Sequence, residues 1–408
     1  MELRKSITAL PSAQPRLSRA LAFCLGLVFT AGFAPLGLSL LVIFVLVPLL
    51  YVFHTAAPRN AFWHGFWFGV GAFLSGTYWI HISVSGFGGA PWYVALLLMF
   101  ILVSIMAIYL GITGWLVSRL TVSRPLLLLA VAPSAWVLIE WLRGWLFTGF
   151  PWLAIGYAQS DSYLAGWAPL LGIYGSSFAA VFSATALVVA LLTQGRARIA
   201  AVALVILPFL AGALLGRIDW TQPAGPPLKA TIIQAGIPQD QKWQAAMLEP
   251  TLRYYRSETL AATESDIVLW PEVAVPSLND LMGPFIRQLG VDAGKADQSI
   301  IFGILERDQV GGETLTYNSM FIVDGSKEQS YRKRHLVPYG EYFPIPNFLR
   351  NAFEMKFIPQ TSLSPGADIQ PLLVHGDDTP LAVAICYEDA YGAEQLYALP
   401  EARLLINC

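Results

Sequence analysis

The sequence predicts a bundle of membrane-crossing helices followed by a layered α/β or α+β domain outside the membrane. Three observations lead there. Apolar residues make up 55% of the chain and charged residues only 13%, about half the usual share for soluble domains, with a mean hydropathy of +0.56. The long apolar runs are confined to roughly the first 217 residues. Beyond Leu228 the pattern changes to short strand-length runs, turn signals and one amphipathic helical stretch.

Taken in order, the first region holds about seven candidate spans, near 20–34, 36–54, 62–82, 91–117, 125–143, 175–193 and 199–216. Most are long enough for a hydrocarbon core of about 30 Å. Arg4, Lys5, Arg16 and Arg19 precede the first span, and Arg59 follows the second. Arg119 and Arg124 follow the fourth, and Arg196 and Arg198 the sixth. Loops on the other side, such as 84–90, carry almost no basic residues, which by the positive-inside rule puts the N-terminus in the cytoplasm. An odd number of spans then carries everything after Arg217 across the membrane, which in a bacterium means the periplasm. The stretch from Glu140 to Gly175 differs in kind. It sets Glu140 and Arg143 one helical turn apart among tryptophans, which reads either as a functional intramembrane pair or as a structural one with an aromatic belt.

The segment 218–227, rich in proline and glycine, reads as a linker. After it come a strand at Lys229–Ala235, an amphipathic helix at Ala245–Glu264, and strands at Asp266–Trp270, Ser299–Leu305, Tyr317–Gly325, Leu381–Ile385 and Ala402–Asn407. Helices are too few for strict β-α alternation, which favours a layered sandwich.

Composition excludes several functions. A net charge of -2 gives no reason to expect a nucleic acid partner. Three cysteines (Cys24, Cys386, Cys408) are no disulfide framework, and five scattered histidines give no metal site. No cofactor or metal is expected. What remains is the chemistry of side chains. Cys386 sits where the apolar run Leu381–Ile385 ends, and Asp389 is placed to cap a helix through Tyr391–Leu396. That location exposes a sulfur and, through the helix N-terminus, favours thiolate. A cysteine nucleophile needs a proton acceptor and an oxyanion partner. Pro271 stops a strand just before Glu272, leaving a carboxylate at a strand end. If Tyr331–His335 is extended, Tyr331, Lys333 and His335 share one face. Arg332 and Arg334 then lie on the other, toward solvent or lipid phosphates.

The order Glu272, Lys333, Cys386 resembles the Glu-Lys-Cys triad of the nitrilase superfamily. Four wider phrases, Leu269–Glu272, Tyr331–Pro344, Ala384–Glu388, and Gln234–Gln239 ahead of Lys242-Trp243, resemble its membrane branch, the apolipoprotein N-acyltransferases. So does the membrane phrase Glu140–Trp152. The resemblance implies a transmembrane domain over 1–217 and a nitrilase-like αββα catalytic domain over 228–408. It implies that Cys386 takes an acyl chain from a phospholipid as a thioester and passes it to the N-terminal amine of a diacylglyceryl-cysteine apolipoprotein. Glu272 would be the base and Lys333 the oxyanion partner, with Trp243, Glu341, Tyr387 and Glu388 supporting the site or holding substrate. The setting implied is a bacterial inner membrane with the catalytic domain periplasmic. Aromatic loops at 84–92 and 145–167, with Tyr342–Phe357, are expected to form a mouth for acyl chains. The family continues beyond the point corresponding to Cys408, so a C-terminally truncated domain is expected, with an unfinished sheet edge. The alternatives are a membrane-anchored amidase or nitrilase-type hydrolase using the same triad, and a scaffold inactive through the truncation.

Overall fold

The computed structural model describes residues 14–86, 90–121, 124–223, 225–338, 340–342 and 363–408. Of the positions singled out above, Arg4, Lys5, Phe87, Gly88, Gly89, Ala224, Tyr339 and 343–357 lie outside the described residues. The chain forms two compact units, one drawn from Met1–Ile82 and Pro91–Gln222, the other from Ser83–Ala90 and Pro223–Cys408.

The first unit is helical. Its long helices are α1 (Pro15–Phe29), α2 (Ser39–Thr55), α3 (Pro58–Gly76), α4 (Trp92–Thr121), α5 (Leu128–Trp145), α6 (Ala168–Leu192) and α7 (Gly195–Leu215). Among the described residues, four helical stretches are long and apolar enough to cross a membrane: Trp92–Thr121, Pro125–Thr148, Tyr163–Leu192 and Gly195–Leu215. Helix α2 is a shorter apolar helix. With no hydrophobic drive between helices in lipid, close packing depends on small residues. Gly71 of α3 shows the effect, since a Cβ there would fall 2.1 Å from the Phe23 carbonyl oxygen of α1.

Between α5 and α6 the backbone leaves the α-helix, with left-handed residues at Phe147, Thr148 and Leu153. Such backbone needs partners in apolar surroundings. Glu140 and Arg143, both buried, provide them. The Ile155 N–H donates to Glu140 Oε1 at 2.9 Å, alongside the Trp136 indole N–H at 3.0 Å. Arg143 Nη1 donates to the Phe150 carbonyl at 2.7 Å and to that of Trp152. The structure thus favours the structural reading of this pair: the two side chains staple the non-helical segment to α5.

The second unit is an α/β sandwich. Strands β1 (Ala230–Ile232), β2 (Ile267–Leu269), β4 (Ser299–Val310), β5 (Glu313–Asp324) and β6 (Lys327–Arg332) lie in that order, with β3 (Val275–Leu278) also paired to β4. Strands β1, β2 and β4 run parallel, while β4, β5 and β6 are antiparallel. Gly311 and Gly312, both at positive φ, form the two-residue turn between Val310 and Glu313 that this hairpin requires. A second sheet contains β7 (Leu373–His375), β8 (Thr379–Ala384) and β9 (Leu404–Asn407).

Two-residue periodicity divides the first sheet's side chains between two cores. Val268, Ile300, Phe302, Phe321 and Val323 pack against Leu252 and Tyr255 of α8 (Ala245–Ala261) and Ile286, Leu289 and Ala293 of α9 (Gly283–Ala296). Ile267, Ile301, Met320, Ile322 and Tyr331 face the other way, onto Leu373, Leu381, Val383 and Ile406 of the second sheet. The site lies where β2, β6 and β8 end.

Candidate active site

Glu272 is placed by what precedes it. Trp270 is buried, stacks on Tyr255 at 4.9 Å, and its indole donates to Thr259 Oγ1 at 2.9 Å. Pro271 has no N–H to continue the ladder. The chain then turns through Val273 at φ 46°, and Glu272 emerges with its side chain 30% exposed. Oε1 accepts from Asn318 Nδ2 at 2.6 Å.

Lys333 follows β6, and its N–H extends the pairing by one bond, to Asn318 O at 2.8 Å. Its side chain is only 1% exposed. Nζ lies 2.9 Å from Glu341 Oε1 and 3.4 Å from Glu272 Oε1. Burial alone would lower its pKa, but the two carboxylates outweigh it and raise the value, so the ammonium is secure. Glu341 is itself held, with Oε2 accepting the Val337 N–H at 2.8 Å and Oε1 accepting from Asn318 Nδ2 at 3.0 Å.

Cys386 follows β8 at φ 57°, at the head of a 3₁₀ turn over Cys386–Ala390, and is solvent-accessible. A non-glycine residue in the left-handed region is held there by its surroundings, a pattern common at functional sites. The buried Glu388 carboxylate supplies much of that hold. It accepts N–H groups from Ile385 and Arg334, each at 2.7 Å, and from His335 at 3.1 Å, and the Tyr331 hydroxyl at 3.1 Å. One carboxylate therefore ties the cysteine turn to the loop that carries Lys333. Tyr387 lies over the site, its ring centroid 6.0 Å from Lys333 Nζ and its hydroxyl donating to Leu336 O at 3.1 Å.

Two local expectations are corrected. Asp389 does not cap the following helix: the residue before Gly392–Gln395 is Tyr391, and no side chain caps it. Nor is the thiol acidified. Burial first, and then the Glu272 charge, push Cys386 above the ordinary thiol range, with Lys333 pulling the other way. The turn after Cys386 is too short to act as an α-helix N-terminus and offset this. The arginines also differ from expectation, because their charges are used within the protein. Arg332 pairs with Glu306 and Asp308, and Arg334 bonds Tyr331, Asp368 and Glu394 while lying 4.3 Å from the Tyr397 ring. His335 stacks on Tyr391 at 3.7 Å and bonds Glu394 at 2.8 Å.

The structure brings Glu272, Lys333 and Cys386 together with Glu341, and sets Tyr387 and Glu388 around them. Trp243 is half-exposed at the end of the short helix Gln239–Lys242. Two neighbours escaped sequence reasoning. Asn318 bridges both site carboxylates, and Lys242 donates to the main-chain carbonyl of Glu272 at 3.1 Å. Asn318 carried one weak signal, a polar amide beside Ser319 at the head of the apolar run Met320–Val323. A thiol, a carboxylate able to take its proton and a buried ammonium form a set suited to acyl transfer through sulfur. Among the described residues no cluster of His, Cys, Asp and Glu could hold a metal ion.

Comparison with known proteins identifies the family. Residues 25–186 match the family model for the apolipoprotein N-acyltransferase N-terminal domain, and residues 229–408 match that for carbon-nitrogen hydrolase. A Methylococcus capsulatus protein named apolipoprotein N-acyltransferase is 34% identical over 389 residues, 95% of this chain and 76% of that one. Proteins of the same name from Nitrosomonas europaea (35% identical, 95% of this chain and 77% of that one) and Pseudomonas putida (35%, 91% and 74%) are similar to the same extent. The chain belongs to the apolipoprotein N-acyltransferase family, membrane acyltransferases that carry a carbon-nitrogen hydrolase domain.

Proposed function

We propose that this protein transfers an acyl chain from a phospholipid, through a thioester on Cys386, to the N-terminal amine of a diacylglyceryl-cysteine apolipoprotein. The observation that carries the reading is the buried Lys333 ammonium, 3.4 Å from Glu272 Oε1, with the solvent-accessible Cys386 close enough to feel the charge of both. In the first half, Glu272 takes the thiol proton as sulfur adds to the ester carbonyl, and Lys333 offsets the charge on the oxyanion. The addition intermediate collapses with loss of the lysolipid alkoxide, which leaves with the proton from Glu272. In the second half, the amine attacks the thioester, Glu272 accepts its proton, and the amide forms as the thiol is restored. A thioester is more reactive toward amines than an oxygen ester, which is the advantage of dividing the reaction at sulfur. Glu341 fixes Lys333, Glu388 fixes the turn of Cys386, and Tyr387 and Trp243 contact substrate.

The charge alternation between spans supports an N-terminus in the cytoplasm, about seven spans over 1–217 and a catalytic domain from 228 facing the periplasm of a bacterial inner membrane, and the proline and glycine content of 218–227 supports a linker there.

Intact-protein mass spectrometry of the detergent-solubilised chain incubated with phospholipid tests the chemistry. A gain of one acyl chain, lost with hydroxylamine and absent in Cys386→Ala, is expected. No adduct on the wild-type chain would overturn the reading, and transfer to water alone, with a lipopeptide amine present, would identify a hydrolase instead.

A further inference from the structure

The carbonyl of Glu272 lies outside the sheet. Pairing of β2 with β4 ends at Leu269 and Ile301, and the last ladder bond runs from Trp270 N to Ile301 O at 2.8 Å. Pro271 offers no N–H, and Val273 follows in the left-handed region at φ 46°. The turn lies flush against β4 at Gly303, where a Cβ would fall 2.2 Å from Val273 N and 2.7 Å from Pro271 O. Lys242 reaches the same turn, its Nζ donating to Glu272 O at 3.1 Å. Among the described residues, Lys242 is the donor that reaches this carbonyl.

We propose that Lys242 is a positioning residue for acyl transfer: its ammonium clamps the main chain of Glu272 against β4 and so aims the carboxylate at the Cys386 thiol. The inference rests on the reading of Glu272 as the base. Two features of Lys242 favour this role over a solvated lysine. It is half-buried, and among the described residues no carboxylate oxygen forms an ion pair with it directly. Its ammonium is spent on a carbonyl while the Glu272 charge acts on it from nearby, opposing the effect of burial. The carboxylate has little other freedom to correct a misplaced backbone, because Oε1 is fixed by Asn318 at 2.6 Å. A base displaced by even an ångström loses much of its effect.

The test is the initial rate of Cys386 acylation in the full chain, measured in mixed micelles against the surface concentration of one phospholipid. Lys242→Met is expected to lower kcat about ten- to a hundredfold with KM for the lipid within about twofold. Lys242→Arg, which can donate to the same carbonyl, is expected to recover most of the rate. Wild-type kinetics in Lys242→Met would overturn the inference. So would a raised KM with kcat intact, which would make Lys242 a ligand of the lipid phosphate. An arginine variant as slow as the methionine variant would reduce the residue to packing. If thermal unfolding shows that Lys242→Met does not fold, the arginine variant decides alone, with near-wild-type kcat expected and its loss overturning the clamp. A wild-type chain that forms no adduct would remove Glu272's role itself, whereas adduct formation with an indifferent Lys242 removes only this inference.

Discussion

Lys333 Nζ lies closer to Glu341 Oε1, at 2.9 Å, than to Glu272 Oε1, at 3.4 Å. The buried ammonium rests mainly on the carboxylate that we do not assign as base. Glu341 thereby holds the cation nearer to itself than to Glu272. Glu341→Gln is expected to let Lys333 settle on Glu272 and to slow Cys386 acylation about a hundredfold while leaving the fold intact. Single-turnover acylation and a melting curve check both halves.

Asn318 Nδ2 bridges the two carboxylates that share Lys333. Asn318→Asp puts a third negative group where one ammonium already serves two. Acylation is expected to fall further than in Asn318→Ala, and to recover partly as pH is lowered and the excess charge is protonated. Equal defects in the two variants at every pH would contradict this account.

The pH dependence of thiol alkylation separates the charges around Cys386. Because burial and Glu272 raise the thiol pKa, iodoacetamide labelling is expected to accelerate only above the ordinary cysteine range. Removing the negative charge in Glu272→Gln should move the labelling midpoint to lower pH even as acylation is lost. Lys333→Met should move it higher, since Lys333 pulls the thiol down. Midpoints that shift in the reverse order would refute the charge assignment.

Glu388 accepts three backbone N–H groups and a tyrosine hydroxyl. An amide there must turn an NH₂ toward donors. Glu388→Gln is therefore expected to cost about 2–4 kcal/mol of stability and to loosen the Cys386 turn. Chemical denaturation and acylation rate should fall together, and a stable but inactive variant would point to a direct role in substrate handling instead.

Much of the site was legible because each key residue stands where a strand is forced to stop. Pro271 announces the end before Glu272, and the charged run after Tyr331 ends β6 before Lys333. The apolar run before Cys386 was also clear, but its chemistry was not. A helix N-terminus is expected to acidify the thiol, but the actual turn is too short, and burial followed by the Glu272 charge pushes the thiol the other way. Asn318 and Lys242 could not be read locally, because their roles depend on partners 46 and 30 residues away in sequence. Glu140 and Arg143 were visible as anomalies, yet which backbone they serve depends on a left-handed segment that no periodicity reveals.

Cys386 sits at φ 57°, a conformation in which glycine is at ease and any side chain is strained by about 1 kcal/mol. Only cysteine brings the sulfur, so no substitution can relieve the strain and keep the chemistry. Cys386→Gly is expected to melt later than the wild-type chain in a thermal unfolding scan, and to lose the proposed acylation. A copy of this gene released from selection for acylation would have, at the nucleophile itself, a downhill path toward a tougher and inert chain.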